Sequence, residues 1–491
     1  MLENASEKIY LKIKGILSGK NFFYFIIALA VFQGLWYALM YQPIIYDEGF
    51  HVKAIYFYIE NINPFNIGIQ DVKWDFLGDM SRNVSYIFYY LMSMPLRFVQ
   101  IFTSNYEIQV ISLRLLMAGF FTASLAIYRR SFVLAGFSRL ASNIALLFTI
   151  LLPYIAPFSG VVNYDNVILF LFSLGIYQSL KIIHLNKVKF IDSILLILII
   201  FSAMLTKFNT ALALFVPILF YVIYSLFKKY KKDTISLFYN SFKSSNRFIK
   251  YLLISVVLVQ TVLIIERPVT NYIIYHSQTP KCEIILTKDR CMANYTYKRG
   301  VEFREIKPDN FKPIDIWSYF STWWLTDMIK TSISMPDKTS MPIVKVIYYT
   351  LGISGIILIL INLKDLLRSK DVKMFIVGCL AFSVILFLEN YRAYVSIGQP
   401  VAMSGRYLLP YIPIFGVIVI KSYTDVVSYG IKKMTSILLV FTLCLLITQG
   451  GGISTAILTQ DTFWIDSDRN TVSISNKAKE FLKPIVVESL P

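Results

Sequence analysis

The chain reads as an all-α polytopic membrane protein, and three observations predict this. Hydrophobic residues fill 56% of its 491 positions, more apolar surface than a water-soluble fold buries. Apolar runs of about 20 residues, the length that crosses a bilayer core, recur from end to end. Basic residues gather in the short segments between those runs, as cytoplasmic anchors do. In a soluble chain a formal charge of +18 would suggest nucleic acid. Distributed in this way it marks one side of a membrane, and nucleic acid is not expected as a partner.

The first span, residues 21–41, follows Lys8, Lys12, Lys14 and Lys20, which hold the start of the chain on the cytoplasmic side. That run is longer than a signal-peptide core and lacks a small-residue cleavage site, so it reads as a retained span. Beyond it, Tyr46-Asp47-Glu48-Gly49-Phe50-His51 places two adjacent carboxylates and an imidazole where the span meets water. Residues 48–61 carry Phe50, Ala54, Phe57 and Tyr58 at helical spacing beside Lys53 and Glu60, the pattern of an amphipathic helix at the interface. The run 84–103 contains Pro95 and Arg97 and reads as non-crossing. If it crossed, Arg129-Arg130 and the Lys-Lys-Tyr-Lys-Lys-Asp stretch at 228–233 would both fall outside, against the positive-inside tendency. Runs 108–128, 141–158, 166–184, 191–206, 208–227 and 250–268 then cross, with a reversal at Lys207. Basic segments at 364–373 and 421–433 divide the C-terminal part, giving about eleven transmembrane helices plus juxtamembrane helices in the first outer loop.

The chain thus divides into a transmembrane module over 1–268, with a first outer loop at 42–107, and an outer loop 269–342 read as a lid. C-terminal transmembrane helices cover 343–451, and a short outer tail covers 452–491. Cys282 and Cys291 lie close together in the polar loop, which allows a disulfide if that loop faces an oxidising compartment. Asn83-Val84-Ser85 and Asn294-Tyr295-Thr296 match the short glycosylation pattern. The lysine- and isoleucine-rich composition, with 3 histidines, points to a prokaryotic plasma membrane.

This topology carries a geometric expectation. Asp47, Glu48, His51, Asp165, Lys207, Arg392 and Arg406 should meet at the outer boundary, although they come from distant parts of the chain. Taken singly, each is an ordinary interfacial polar residue. The adjacent like charges at 47 and 48 repel, which structure alone does not need. A carboxylate at that depth can take a proton from an attacking hydroxyl. A lysine or arginine can hold a departing phosphate; Lys207 and Arg406 lead, with Arg392, Arg82, Lys53 and Arg114 behind them. His51, one helical turn beyond Asp47, is a partner of that acid on the substrate-binding side, a metal ligand, or an ordinary interfacial histidine. Asp165 either shares a divalent cation (Mg or Mn) with Asp47 or Glu48, or caps the span that begins near Asn166. Trp317, Tyr319, Trp323 and Trp324 make either an aromatic belt or a stacking platform for sugar or lipid.

The stretch Tyr46-Asp47-Glu48-Gly49-Phe50-His51 resembles a motif of the polytopic GT-C glycosyltransferases. That superfamily includes the protein O-mannosyltransferases and the lipid A aminoarabinose transferases, which carry an Asp-Glu pair in the first outer loop ahead of an aromatic-rich juxtamembrane helix. Ser85 to Pro95 is similar to the aromatic-rich helix late in that loop, and Leu113-Arg114-Leu115 to the Arg-Leu start of the following span. Thr206-Lys207-Phe208 resembles a Thr-Lys-Gly turn, with Phe208 where glycine is usual. Ser404-Gly405-Arg406-Tyr407-Leu408-Leu409-Pro410 resembles a Gly-Arg-Tyr-Leu-x-Pro element of other bacterial families. The resemblance covers residues 1–230 loosely and that one later element. It implies a polyprenyl-phosphate-linked sugar as donor, a lipid, glycan or protein acceptor, and inversion at the anomeric carbon. It further implies Asp47 as the base and Glu48 in a supporting role. The rival readings are a transporter or flippase of lipid-linked glycans, which would place ionisable groups near the middle of the bilayer, and a non-catalytic membrane assembly protein. The expected spans hold few ionisable residues, which favours chemistry at the surface.

Overall fold

Long apolar segments must satisfy their own backbone amides, and this chain does so with helices. The computed structural model describes residues 11–42, 47–65, 69, 71–184, 189–231, 233–333, 342–427, 442–447, 449, 451–459 and 469–482; no β-strand forms among them. Lys8, Tyr46 and residues 334–341 of the expected lid lie outside the described residues. The principal helices are α1 (Lys20–Met40), α2 (Glu48–Glu60), α3 (Tyr86–Gln100), α4 (Tyr106–Leu134), α5 (Arg139–Ile150), α6 (Tyr164–His184) and α7 (Phe190–Tyr230). They continue with α8 (Asp233–Ser244), α9 (Arg247–Tyr275), α10 (Tyr295–Ile306), α11 (Leu325–Ile333), α12 (Pro342–Ile361), α13 (Lys370–Ile397) and α14 (Ile412–Val427).

Among the described residues, seven helices are long and apolar enough to cross a membrane: α1, α4, α6, α7, α9, α12 and α13. That is consistent with an integral membrane protein. The difference from about eleven has physical sources. The run 141–158 is not one long helix; α5 is 12 residues long, followed by irregular backbone and a 3-10 turn at Ala156–Ser159. Pro153 and Pro157 lack the amide hydrogen that would continue the helix. Residues 141–163 are buried throughout, so this irregular backbone is shielded by protein, as an apolar medium requires. α14 has 16 residues, and residues 428–441 after it lie outside the described set.

The last source is α7, which counts once but is two helices. Its backbone leaves the helical region at Lys207 (φ −155°, ψ 86°). A straight helix of 41 residues would reach roughly 60 Å. Instead Phe190, at its start, packs on Phe238 and Phe242 of α8, just past its end, with ring centroids 5.6 and 5.0 Å apart. The two halves therefore double back, and Lys207 sits at the tip. This extended backbone is open to any residue, and Phe208 has no left-handed φ, so the turn does not need the usual glycine. α3, with 15 residues, is about 22 Å long, short of a bilayer core of about 30 Å.

The helices have two distinguishable ends. At one, Arg129 donates to Asn143 (2.8 Å), Lys181 pairs with Asp192 (2.6 Å) and His184 meets Asp371 (2.8 Å). At the other lie Arg114, Val162, Asp165 and Lys207. Arg114 and Arg129 both sit on α4, about 22 Å apart at the helical rise. A large core fills the space between the long helices, including Tyr37, Phe121, Phe172, Phe215 and Phe375. α2, α3 and the start of α4 enclose a second core together with Cys282 and Cys291, which form a disulfide. Beside that disulfide Arg290 pairs with Asp75 (2.5 Å), and buried Asn294 donates to the carbonyls of Phe76 (2.8 Å) and Leu77 (3.2 Å). The Asn294 amide is thus spent on tying the second loop to the first. The aromatic group divides: Tyr319 is buried against Tyr394 and Trp324 against Phe387, with Trp324 Nε1 donating to Asn390 (3.0 Å), while Trp317 is exposed.

Candidate functional site

The site forms at the seam between the two larger cores, where α1 ends and α2 begins. Adjacent carboxylates repel unless they face different surroundings, and here they do. Asp47 is the residue before α2, with a left-handed backbone (φ 64°). Asp and Asn tolerate that region better than other non-glycine residues, and strain of this kind clusters at functional sites. Its side chain is 58% exposed and meets Arg406 Nη2 at 3.0 Å.

Glu48 turns the other way, into the protein, with no solvent exposure. Its two oxygens accept from Arg114 Nε (2.8 Å) and Nη2 (2.7 Å), and the Val162 amide adds a third bond at 2.8 Å. Arg114 Nη1 also donates to the carbonyls of Ala38 (3.1 Å) and Tyr41 (2.6 Å). These lie at the C-terminal end of α1, where helix carbonyls lack partners and positive charge is favoured. Arg114, a candidate phosphate ligand from its sequence, is therefore committed to Glu48 and to the end of α1. Glu48 anchors the start of α2 and so fixes where Asp47 stands.

Opposite Asp47, two cations approach from distant segments. Lys207, at the tip of the α7 reversal, pairs with Asp165 at 2.7 Å and lies over the Tyr164 ring (4.4 Å) and the Tyr407 ring (5.2 Å). Arg406 Nη2 also donates to Tyr407 Oη at 3.3 Å. Gly405 lets Arg406 reach this position: a Cβ there would collide with Ser332 and the backbone of α11, and its amide donates to Thr331 Oγ1 at 2.7 Å. His51 is buried; Nδ1 lies 3.0 Å from Tyr89 Oη, and its ring meets Tyr164 edge-on at 4.6 Å. Contacts thus run without a gap from His51 through Tyr164, Lys207, Tyr407 and Arg406 to Asp47.

Of the two readings of Asp165, the cap belongs elsewhere, since Asn163 Oδ1 accepts from the Asp165 amide at 2.8 Å. Asp165 instead holds Lys207. A divalent cation does not fit this donor set: Asp47 and Asp165 each face a cation and Glu48 is sealed. Among the described residues no group of three His, Cys, Asp or Glu is arranged to hold a metal. Three weaker candidates lie apart from the cluster. Arg82 bonds Asn271 (2.7 Å) on α9, exposed Lys53 lies 6.0 Å from the Phe76 ring, and Arg392 is exposed on α13. Sequence reasoning does not single out Tyr89, Tyr164 or Tyr407 as site residues; adjacency to a charge marks two of them, at Tyr164-Asp165 and Arg406-Tyr407, while Tyr89 sits between Phe88 and Tyr90 with no such marker.

Burial pushes the His51 imidazole down to about 4, against the pull of Asp47 and Asp165. An unfolded imidazole titrates near 6.5. Between those values the unfolded chain binds a proton that the folded chain does not. Stability from this group is therefore complete above pH ~6.5 and falls as the pH drops towards 4, by on the order of 3 kcal/mol. Melting curves across that window should show the decline, and His51→Gln should flatten it; equal slopes for both proteins would remove His51 as the cause.

No family model matches the chain, and no curated protein or solved structure matches it either.

Proposed function

We propose that the chain is a membrane glycosyltransferase of the GT-C type. It transfers a sugar from a polyprenyl-phosphate donor to an acceptor hydroxyl, with inversion, at the outer face of a prokaryotic plasma membrane. The Asp47 end is taken as outer because Lys20, Arg129, Arg130 and Arg139 gather at the opposite end. The observation that carries this reading is the 3.0 Å pair between Arg406 and Asp47, 359 positions apart in the chain, beside the Lys207–Asp165 pair.

Such a site can exchange partners. An arriving lipid phosphate brings negative charge to Arg406 and Lys207, and Arg406 turns from Asp47 to the phosphate. The freed carboxylate, already exposed, accepts the proton of the acceptor hydroxyl as its oxygen attacks the anomeric carbon. The bond from that carbon to the phosphate oxygen breaks, its electron pair leaves with the phosphate, and the two cations hold the charge. Attack from the face opposite the phosphate inverts the centre.

Arg406→Gln tests the grip on the leaving group. A charge-assisted hydrogen bond contributes about 1.5–3 kcal/mol, so kcat/KM for a polyprenyl-phosphate sugar should fall about 10- to 100-fold, and Arg406→Lys should recover part of it. Unchanged kcat/KM in the glutamine variant would remove Arg406 from the donor site.

A further inference from the structure

A second charged region lies at the far end of the bundle, about 22 Å along α4 from Arg114. There Lys20, Arg129, Arg130, Arg139 and Tyr177 line a cavity of about 360 Å³, with Leu134 in its wall. That volume falls within the range of small-molecule sites. The four cations come from α1, the end of α4 and the start of α5, so their meeting is a product of folding and not of one basic run. Among the described residues no ion pair joins any of the four to a carboxylate within 4.0 Å.

Interfacial cations usually extend freely into water, but Arg129 is held. Its Nε donates to Asn143 Oδ1 at 2.8 Å, and its guanidinium lies 4.4 Å over the Phe23 ring. Asn143 is itself fixed by donating to the carbonyl of Leu17 at 2.8 Å. Arg129 Nη2 is buried with no hydrogen-bond partner in the structure. An oriented guanidinium thus stands among three further positive charges, a setting that attracts an acceptor-rich anion. A phosphate ester supplies the oxygens for it, and basic pockets between spans on the cytoplasmic side suit phospholipid headgroups.

We infer that the cavity lined by Lys20, Arg129, Arg130 and Arg139 is a binding site for a phosphate ester, separate from the Asp47 site. The phosphate comes from an anionic phospholipid headgroup or from a soluble phosphate, and the experiment distinguishes the two. Full-length protein in neutral detergent is titrated with dioleoylphosphatidylglycerol, with dioleoylphosphatidylcholine and with inorganic phosphate, and bound lipid is counted by native mass spectrometry. Phosphatidylglycerol should be retained in preference to phosphatidylcholine. Arg130 and Arg139 are exposed, so Arg130→Gln/Arg139→Gln should fold normally and lose about 30-fold in affinity, at about 1 kcal/mol per basic residue. Arg130→Lys/Arg139→Lys should keep most of it, and Lys228→Gln/Lys229→Gln, on α7, should bind as wild type. Should the double glutamine variant melt early, Lys20→Gln repeats the test with a smaller loss of about 5-fold. Displacement of the lipid by millimolar inorganic phosphate assigns the site to the phosphate group from either source; retention despite it assigns the site to the lipid headgroup. Equal binding of the two lipids with no phosphate effect, or undiminished phosphatidylglycerol binding in folded Arg130→Gln/Arg139→Gln, overturns the proposal.

Discussion

Asp47→Asn is expected to lower kcat for sugar transfer about 10²- to 10⁴-fold, the usual contribution of a positioned base, while leaving the fold intact. The two halves of this expectation rest on different observations. Asparagine keeps the shape and the tolerance for a left-handed backbone but cannot accept the acceptor's proton. Stability should change little, because the carboxylate is 58% exposed and its pair with Arg406 falls in the class worth about 0–1 kcal/mol. Binding of the donor should hold or tighten, since Arg406 no longer has to leave a carboxylate to meet a phosphate. The measurement is single-turnover transfer from a polyprenyl-phosphate sugar, with donor binding and a melting curve on the same preparation. A folded variant that binds donor and transfers at the wild-type rate would take the base role from Asp47. A lipid carrier would behave differently, since moving a substrate breaks no bond and needs no proton acceptor.

Much of the site could be read from residue order because its parts sit at span ends, where hydropathy changes sign. Asp47, Lys207 and Arg406 each mark such a boundary, and basic loops set which boundaries share a side. What could not be read was partner choice. Nothing local distinguishes Glu48 from Asp47, yet the Arg114 guanidinium 66 positions away draws one inward and leaves the other to solvent. Arg114 looked like a free cation for the same reason: sequence shows a charge but not the carbonyls at the end of α1 that surround it. Hydropathy also gave no sign that the helix within 141–158 stops at Ile150, because a window average gives Pro153 and Pro157 no power to stop a helix. The tyrosines at 164 and 407 were hidden among 33 tyrosines and gain meaning only once Lys207 lies between them.

Arg114→Ala should be the most damaging single change to the fold. The pair it breaks is buried on both sides, at 3% and 0% exposure. Removing one partner of a buried pair costs about 3–5 kcal/mol, because the other charge stays behind unpaired. Here the stranded group is the Glu48 carboxylate, left with the Val162 amide, and the carbonyls of Ala38 and Tyr41 lose their donor as well. A melting temperature lower by many degrees, or loss of folded protein on extraction, is the expected result; wild-type melting would show that the pair bears no load. Glu48→Gln should be milder, since the amide keeps the shape and Arg114 keeps its carbonyls. Glu48→Leu/Arg114→Met separates support from chemistry: with neither charge stranded, stability should recover in part. If Glu48 acts only by fixing Asp47, that folded double variant should keep measurable transfer and its kcat should exceed that of Asp47→Asn. If Glu48 takes part in proton movement, the double variant should fold and yet be as inactive as Asp47→Asn.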